Sequence, residues 1–364
     1  MAKKLASDKV LFTVVILLVG FGLVMVYSAS AAVARGNSET GSGVNPFLVK
    51  QGLAAVIGLA AMLVAMHVDY RILKRPAVVY TLLAGAVVLL VAVLFQPVMN
   101  GTRRWFFLGP ISVQPAELAK LALIPFVAYQ LDRKLDRVNR PELLVPVGLA
   151  VGLITGLILM QPDFGTSVLL LVTIGTMLFT AGLAWRFVGL GASTALPALA
   201  FLIYSEGYRR ERFLAFLDPE KDPLGTGYQV LQSLIAVGAG GVLGVGLGNS
   251  GQKLFYLPQP HTDFIYAIIA EELGMLGALA VLALFLVLLW RGLLAARHAP
   301  DAFGRFLGIG LTAVLVVQAL INISVATALL PTKGIPLPFL SYGGSSLVVS
   351  MAASGVLLNL SEHA

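Results

Sequence analysis

The chain contains no cysteine among its 364 residues. No disulfide can staple an exterior loop, and no thiolate can serve as metal ligand or nucleophile. Histidine is nearly as scarce: His67, His261, His298 and His363 stand far apart, which argues against a zinc or haem centre. Charge is the third shortage. Asp, Glu, Lys and Arg make up 12% of the residues, where a soluble domain carries roughly a quarter. So little polar surface cannot cover a globule in water. The hydrophobic fraction of 58% equally excludes disorder.

What is present is apolar sequence in long runs, at about 10–27, 52–68, 77–98, 114–131, 143–160, 166–185, 187–204, 264–290, 306–330 and 347–360. At about 20 residues per crossing, these predict an all-α polytopic membrane protein of about ten transmembrane helices, one domain over residues 1–364. An even count puts both termini on one side. Fourteen of the 25 Lys and Arg residues, from Lys9 through Arg71, Lys74, Arg75 and Arg133 to Arg291, Arg297 and Arg305, fall on that side. The positive-inside rule makes it the cytoplasm. The net charge of +7 is therefore read as loop-end charge, not as a nucleic-acid surface. The basic leader, the first apolar run and Ser28-Ala29-Ser30-Ala31-Ala32 resemble a signal peptide, but the run exceeds a signal core of roughly 7–15 residues. It is read as an uncleaved first span.

One long extracytoplasmic loop, about 205–263, is predicted between the seventh and eighth spans. It opens on Tyr208-Arg209-Arg210-Glu211-Arg212-Phe213, and its apolar stretch from Gly227 to about Gly248 is expected to dip into the membrane or lie on it. Long ordered loops are usually functional.

Ionisable side chains in hydrocarbon are costly and so are functional candidates. Glu117 and Lys120 lie three apart on one helix face, as a structural ion pair or as part of a substrate path. Glu271 and Glu272 have no cation nearby in the sequence and point to a water-filled cavity or a helix-packing site. Asp163, after Gln161-Pro162, reads as a helix break and cap. Gln318 and Asn322 suit bonds between helices. Asp263, beside His261 and Thr262, opens the eighth span. There it either caps the helix or, kept ionised by the helix N-terminus, acts as a general base on a hydroxyl. On the same side lie Arg103, Arg104, Arg209, Arg210, Arg212, Lys253 and Lys333, interleaved with Trp105, Phe106, Tyr208 and Phe213. Any one of these cations could simply snorkel. Together they run against the positive-inside bias and suggest an anionic ligand such as a lipid diphosphate. Gly246-Leu247-Gly248-Asn249-Ser250-Gly251 matches a dinucleotide pattern but lacks its strand–helix setting. Gly148, Gly152 and Gly156 form a tandem GxxxG that predicts close helix packing.

Several longer segments are more specific. They are Gly101-Thr102-Arg103-Arg104-Trp105 with Gln114-Pro115-Ala116-Glu117-Leu118-Ala119-Lys120; Gln161-Pro162-Asp163-Phe164-Gly165-Thr166; and Leu257-Pro258 through His261-Thr262-Asp263-Phe264 to Glu271-Glu272-Leu273-Gly274. Last comes Lys333-Gly334-Ile335-Pro336-Leu337-Pro338-Phe339 with Ser341-Tyr342-Gly343-Gly344-Ser345-Ser346. In this order and over nearly the whole chain they resemble the SEDS family of bacterial cell-wall polymerases. Gln229 to Leu234 and Gly248-Asn249-Ser250 look closer to the family's division members than to its elongation members. Gln259-Pro260 before His261 departs from the usual pattern and removes an acidic neighbour of Asp263.

The resemblance implies an inverting peptidoglycan glycosyltransferase in the bacterial cytoplasmic membrane, at the division septum, that joins lipid II to a nascent glycan strand. Asp263 matches the family's essential aspartate. The implied substrate-binding set is Arg103, Arg104, Glu117, Lys120, Arg209, Arg210, Arg212, His261, Lys333, Ser345 and Ser346, with a divalent cation (Mg or Mn) as an additional expectation and no protein metal ligands assigned. The implied partners are a class B penicillin-binding protein that crosslinks strands and other division membrane proteins. A lipid II flippase and a non-catalytic scaffold are the alternatives, the first suited by the four intramembrane charges.

Overall fold

The computed structural model describes residues 7–36, 45–99, 101–109, 111–204, 207–254 and 256–363. Each of the ten expected spans falls on a helix: α1 (Lys9–Gly36), α2 (Pro46–His67), α3 (Pro76–Val93), α4 (Pro115–Lys134), α5 (Pro141–Met160), α6 (Phe164–Thr180) and α7 (Trp185–Tyr204) before the long segment. Beyond α8 (Gly207–Leu217) and α9 (Tyr228–Gly240) come α10 (Ile265–His298), α11 (Ala302–Ala326) and α12 (Gly344–Glu362). Among the described residues seven of these helices are long and apolar enough to cross a bilayer. α6 is apolar but shorter, at 17 residues.

Local chemistry starts the helices where the sequence changes character. Prolines sit in the first turn of α2, α3, α4 and α5, where a missing N–H costs nothing. Asn45, Asp163 and Asp301 cap α2, α6 and α11 with their side chains. Asp8 accepts from the backbone N–H groups of Val10 and Leu11, both at 3.0 Å, and pairs with Arg291 at 2.7 Å. Its own N–H donates to Ser361 at 3.2 Å, which brings the two ends of the chain together on one side of the bundle.

α11 is the central post. It is buried along most of its length and contacts α4, α6, α9, α10 and α12. α1, α2, α3 and α5 surround it and turn large apolar side chains outward, among them Val56 (66% exposed), Val88 (65%) and Leu149 (69%). Such a surface is covered by lipid.

Three features differ from the expectation. Residues 205–263 hold α8 and α9, so much of the long loop is helical. A short antiparallel hairpin, β1 (Phe106–Leu108) and β2 (Ile111–Val113), follows α3 in what reads as an irregular exterior loop. The GxxxG glycines of α5 do not pack within the chain. A Cβ added at Gly148, Gly152 or Gly156 would meet nothing within 4 Å.

The apolar stretch after Gly227 has a definite task. α10 is broken at Gly274, with φ 66° and ψ −165°, a region open essentially to glycine alone. The break frees backbone groups, and the glycine-rich turn after α9 fills them. The N–H groups of Val245 and Gly246 donate to the Glu271 and Glu272 carbonyls, both at 3.0 Å. Those of Met275 and Leu276 donate to Gly241 and Val242 at 2.9 and 3.3 Å. A Cβ at Gly274 would collide with the backbone of Val242 and Gly244. Gly274→Ala is therefore expected to destabilise the protein by about 2 kcal/mol or more. Gly156→Ala is expected to stay within about 0.5 kcal/mol of wild type. Melting temperatures in detergent check both, and equal behaviour of the two variants would remove the break from the account.

Candidate functional site

Asp263 is placed by a segment anchored at both ends. On the near side, the Glu271 carboxylate accepts from the Ser250 hydroxyl and from the N–H groups of Gly251 (2.9 Å) and Gln252 (3.3 Å). Lys253 Nζ reaches Glu272 Oε1 at 2.7 Å and Ser28 at 3.1 Å, and the Ser28 hydroxyl itself donates to Glu272 at 2.7 Å. On the far side, three consecutive carbonyls are each held by a different group. Tyr342 N–H donates to His261 O at 2.8 Å, Ser341 Oγ to Thr262 O at 2.6 Å, and Asn322 Nδ2 to Asp263 O at 2.9 Å. Asn322 also donates to Ile335 O at 2.8 Å, tying in the 333–337 segment.

With its backbone fixed this way, Asp263 does not cap α10. The N-cap is Phe264, and it makes no side-chain cap bond. The carboxylate is half-buried instead, and Gly334, which has no side chain, lies against it. Burial raises the Asp263 pKa to about 6; nearby Asp163 raises it too, and Arg212 and Arg104 act to lower it. The helix N-terminus does not keep this group at an ordinary carboxylate value, because desolvation outweighs the flanking cations. It is nonetheless largely ionised at pH 7.

Arg104 is locked in place, its Nε donating to Gln161 O at 2.9 Å and its terminal nitrogen to Pro162 O. Lys333 lies over the Phe164 ring, with Nζ 3.9 Å from the ring centroid. Burial lowers its pKa to about 8, against the opposing pull of Asp163. Asp163 caps α6, as expected, through Thr166 N–H at 3.1 Å, and also accepts from Thr166 Oγ1 at 2.9 Å and Gln114 Nε2 at 3.2 Å. Its electrostatic reach to both Asp263 and Lys333 makes it part of the site. The Gln161-Pro162-Asp163 motif was its only sequence signal.

A cavity of about 420 Å³ lies between α2, the hairpin and the start of α12. Leu53, Ala54, Ile57, Val348 and Val349 form its apolar wall, and Lys50, Gln51, Ser112 and Ser345 its polar end. Ser345 accepts from Gln114 N–H at 3.1 Å and donates to Ser112 O at 2.6 Å, joining cavity and Asp163 network. Ser346, one residue on, is buried with no hydrogen bond to its hydroxyl among the described residues.

Other expected residues are placed elsewhere. Arg103 is exposed and folds back to Leu94 O at 2.9 Å. Arg210 is exposed on α8, and the side chain of Arg209 lies outside the described ones. Glu117 and Lys120 pair at 2.8 Å inside the bundle, and Lys120 donates to Gln318 Oε1 at 2.7 Å. Gln318 passes the support on to Pro336 O at 2.8 Å. The structure thus brings the pair behind the site, not into it. Glu271 and Glu272 do not face a water-filled cavity; the first is bound by residues 250–252 and the second by Lys253, a cation the spacing did not reveal. Lys253 is correspondingly withdrawn from the outer cluster. His261 cannot act as a cation near neutral pH. Burial lowers its pKa to about 4, and its ring packs against Phe47 (centroids 4.8 Å apart) and Tyr342 (5.6 Å). Among the described residues no three acidic or histidine side chains converge to hold a metal ion.

The fold and cluster define a polytopic membrane protein with one poised carboxylate among cations. The model of the FtsW/RodA/SpoVE cell cycle proteins matches residues 8–364, and the chain belongs to that family. It is 43% identical over 358 residues to a probable peptidoglycan glycosyltransferase FtsW of Trichlorobacter lovleyi, covering 97% of this chain and 93% of that protein. A chain from a peptidoglycan synthase complex that coordinates polymerization and crosslinking superposes with a TM-score of 0.80 at 33% identity, over 98% of each chain. The rod shape determining protein RodA of Thermus thermophilus gives 0.72 at 29% identity, over 99% of this chain and 98% of its own.

The anchor of the Asp263 segment is testable. Lys253→Met strands the Glu272 carboxylate in a buried setting and is expected to cost about 3–5 kcal/mol. Lys253→Met with Glu272→Gln is expected to recover much of that loss. Thermal unfolding in detergent reads the cycle, and a double variant no better than the single one would contradict a buried ion pair.

Proposed function

We propose that this chain is a peptidoglycan glycosyltransferase that polymerises lipid II at the outer face of the bacterial cytoplasmic membrane, in septal wall synthesis. One observation carries the reading. Asp263 is a half-buried carboxylate with no capping duty, poised near pKa 6 within the field of Arg104 and Arg212, and it shares Asp163 as a charged neighbour with Lys333.

That arrangement suits glycosyl transfer from a lipid diphosphate. Asp263 takes the proton from the acceptor sugar's 4-hydroxyl as that oxygen attacks the donor's anomeric carbon. The bond from that carbon to the diphosphate breaks, and the leaving group departs with the bonding electron pair. A single base acting opposite the leaving group inverts the α-linked donor to a β-linked product, with no covalent intermediate. Arg104, Arg212 and Lys333 meet the growing negative charge, the two guanidinium groups matching phosphate oxygens with their paired donors. The apolar wall of the 420 Å³ cavity receives the start of the polyprenyl chain, and its polar end faces the sugar and diphosphate.

The transport alternative loses its support, because Glu117, Lys120, Glu271 and Glu272 are all consumed in bonds inside the bundle. The 43% identity to an FtsW against 29% to a RodA favours the division role. The likeness to a synthase-complex chain supports assembly with a crosslinking penicillin-binding protein, alongside other division proteins.

Purified protein given lipid II in detergent, with its crosslinking partner, is expected to make glycan ladders. Asp263→Asn is expected to abolish them, and polymer from that variant would eliminate Asp263 as base. The base must be deprotonated, so the rate is lost as pH falls through about 6. The Lys333 cation must be protonated, so the rate declines as pH rises through about 8. Lys333→Arg, which stays charged, is expected to remove only the alkaline limb.

A further inference from the structure

At the opposite end of α10 from Asp263, beyond the break at Gly274 and about 35 Å of continuous helix, a second group of cations faces a groove. Arg297, in the last turn of α10, and Arg305, near the start of α11, line a cavity of about 470 Å³ with Leu293, Ala296 and Ile309. The floor exists because the two helices touch closely here. A Cβ at Gly308 would press on Ala296, and one at Gly292 would press on Thr312. Ala296 is 1% exposed, so it lies at the bottom of the trough, and Leu293 is 43% exposed on its flank.

The residues are ordered along the membrane normal. Leu293 precedes Arg297 by one turn of α10, and Ile309 follows Arg305 by one turn of α11. On both helices the apolar side chain is therefore one turn deeper in the bundle and the guanidinium one turn nearer the rim. Neither guanidinium group makes a hydrogen bond or ion pair with another described residue. The nearby acids are engaged elsewhere: Asp301 by Gly304 N–H, Tyr70 and Lys74, and Asp8 by Arg291. Arg291 and the paired chain ends mark this as the terminal side of the bundle, the cytoplasmic face by the positive-inside rule.

We propose that this groove binds an anionic phospholipid of the inner leaflet, the phosphate between Arg297 and Arg305 and the start of an acyl chain against Leu293 and Ile309. Basic pockets between helices on the cytoplasmic side recognise such headgroups. The site is separate from the Asp263 cluster and does not rest on the polymerase reading.

Native mass spectrometry of the full-length protein in neutral detergent, titrated with dioleoylphosphatidylglycerol, tests it. Taking about fivefold per arginine near an anionic lipid, Arg297→Gln with Arg305→Gln is expected to weaken binding about 25-fold. Arg75→Gln with Arg140→Gln, two exposed arginines on the same face, is expected to change it less than about twofold, and Arg297→Lys with Arg305→Lys to retain most of it. If the double variant does not fold, Arg305→Gln alone carries the test at about fivefold. Equal losses from both arginine pairs would overturn the site in favour of general surface charge. Equal binding of dioleoylphosphatidylcholine would reduce it to an apolar groove, and displacement by soluble glycerol phosphate at matched concentration would make it a free-phosphate site. Each of those results refutes the lipid assignment while leaving lipid II polymerisation untouched.

Discussion

A helix that breaks in apolar surroundings must find partners for the backbone groups it frees, because each unsatisfied group there costs several kcal/mol. In this protein the break is at Gly274, and the partners come from the turn at residues 241–246. The placement of the Asp263 segment follows from that repair. The chain leaving the repair passes directly over the Glu271 and Glu272 side chains, and those carboxylates capture residues 250–253. Ser28 joins the Lys253–Glu272 pair, so α1 is bound into the same knot. Asp263 then arrives at the mouth of α10 with its position set from behind.

The few charges of the chain consequently divide into two kinds. Those inside the bundle, Glu117 with Lys120 and Glu272 with Lys253, are neutralised locally and hold elements together. Those near the mouth of α10, Asp263 with Arg104, Arg212 and Asp163, act on one another electrostatically in partly desolvated surroundings. Desolvation pushes the Asp263 pKa up and the Lys333 pKa down, so both titrate near neutrality. An acid–base group is most useful when its pKa lies close to the working pH. Burial thus supplies at the site what pairing removes from the interior.

The two ends of α10 show the same physics put to different use. At the Asp263 end, Arg104 is held rigid by the Gln161 and Pro162 carbonyls, which suits a group that must meet charge developing at one place. At the other end the guanidinium groups of Arg297 and Arg305 have no partner among the described residues and stand above apolar side chains, an arrangement that follows the layering of a lipid leaflet.

The fold class was legible in the sequence because hydrocarbon imposes a strong and simple pattern: each of the ten apolar runs lies on a helix, and both chain ends meet at Asp8 and Ser361. The motif around His261-Thr262-Asp263 likewise drew attention to a carboxylate that the fold leaves without a capping bond. Pairing across the chain was not legible. Lys253 lies 19 residues from Glu272 and Ser28 another 225 away from Lys253, and no local spacing rule connects them. The same blindness put Lys253 among the outer-face cations and sent the α5 glycines into a contact they do not make within the chain. Composition and periodicity determine which segments enter the membrane, because that depends on each segment's own surface. Which charges remain available for chemistry was decided only by the tertiary structure, because desolvation and pairing depend on what folds against them.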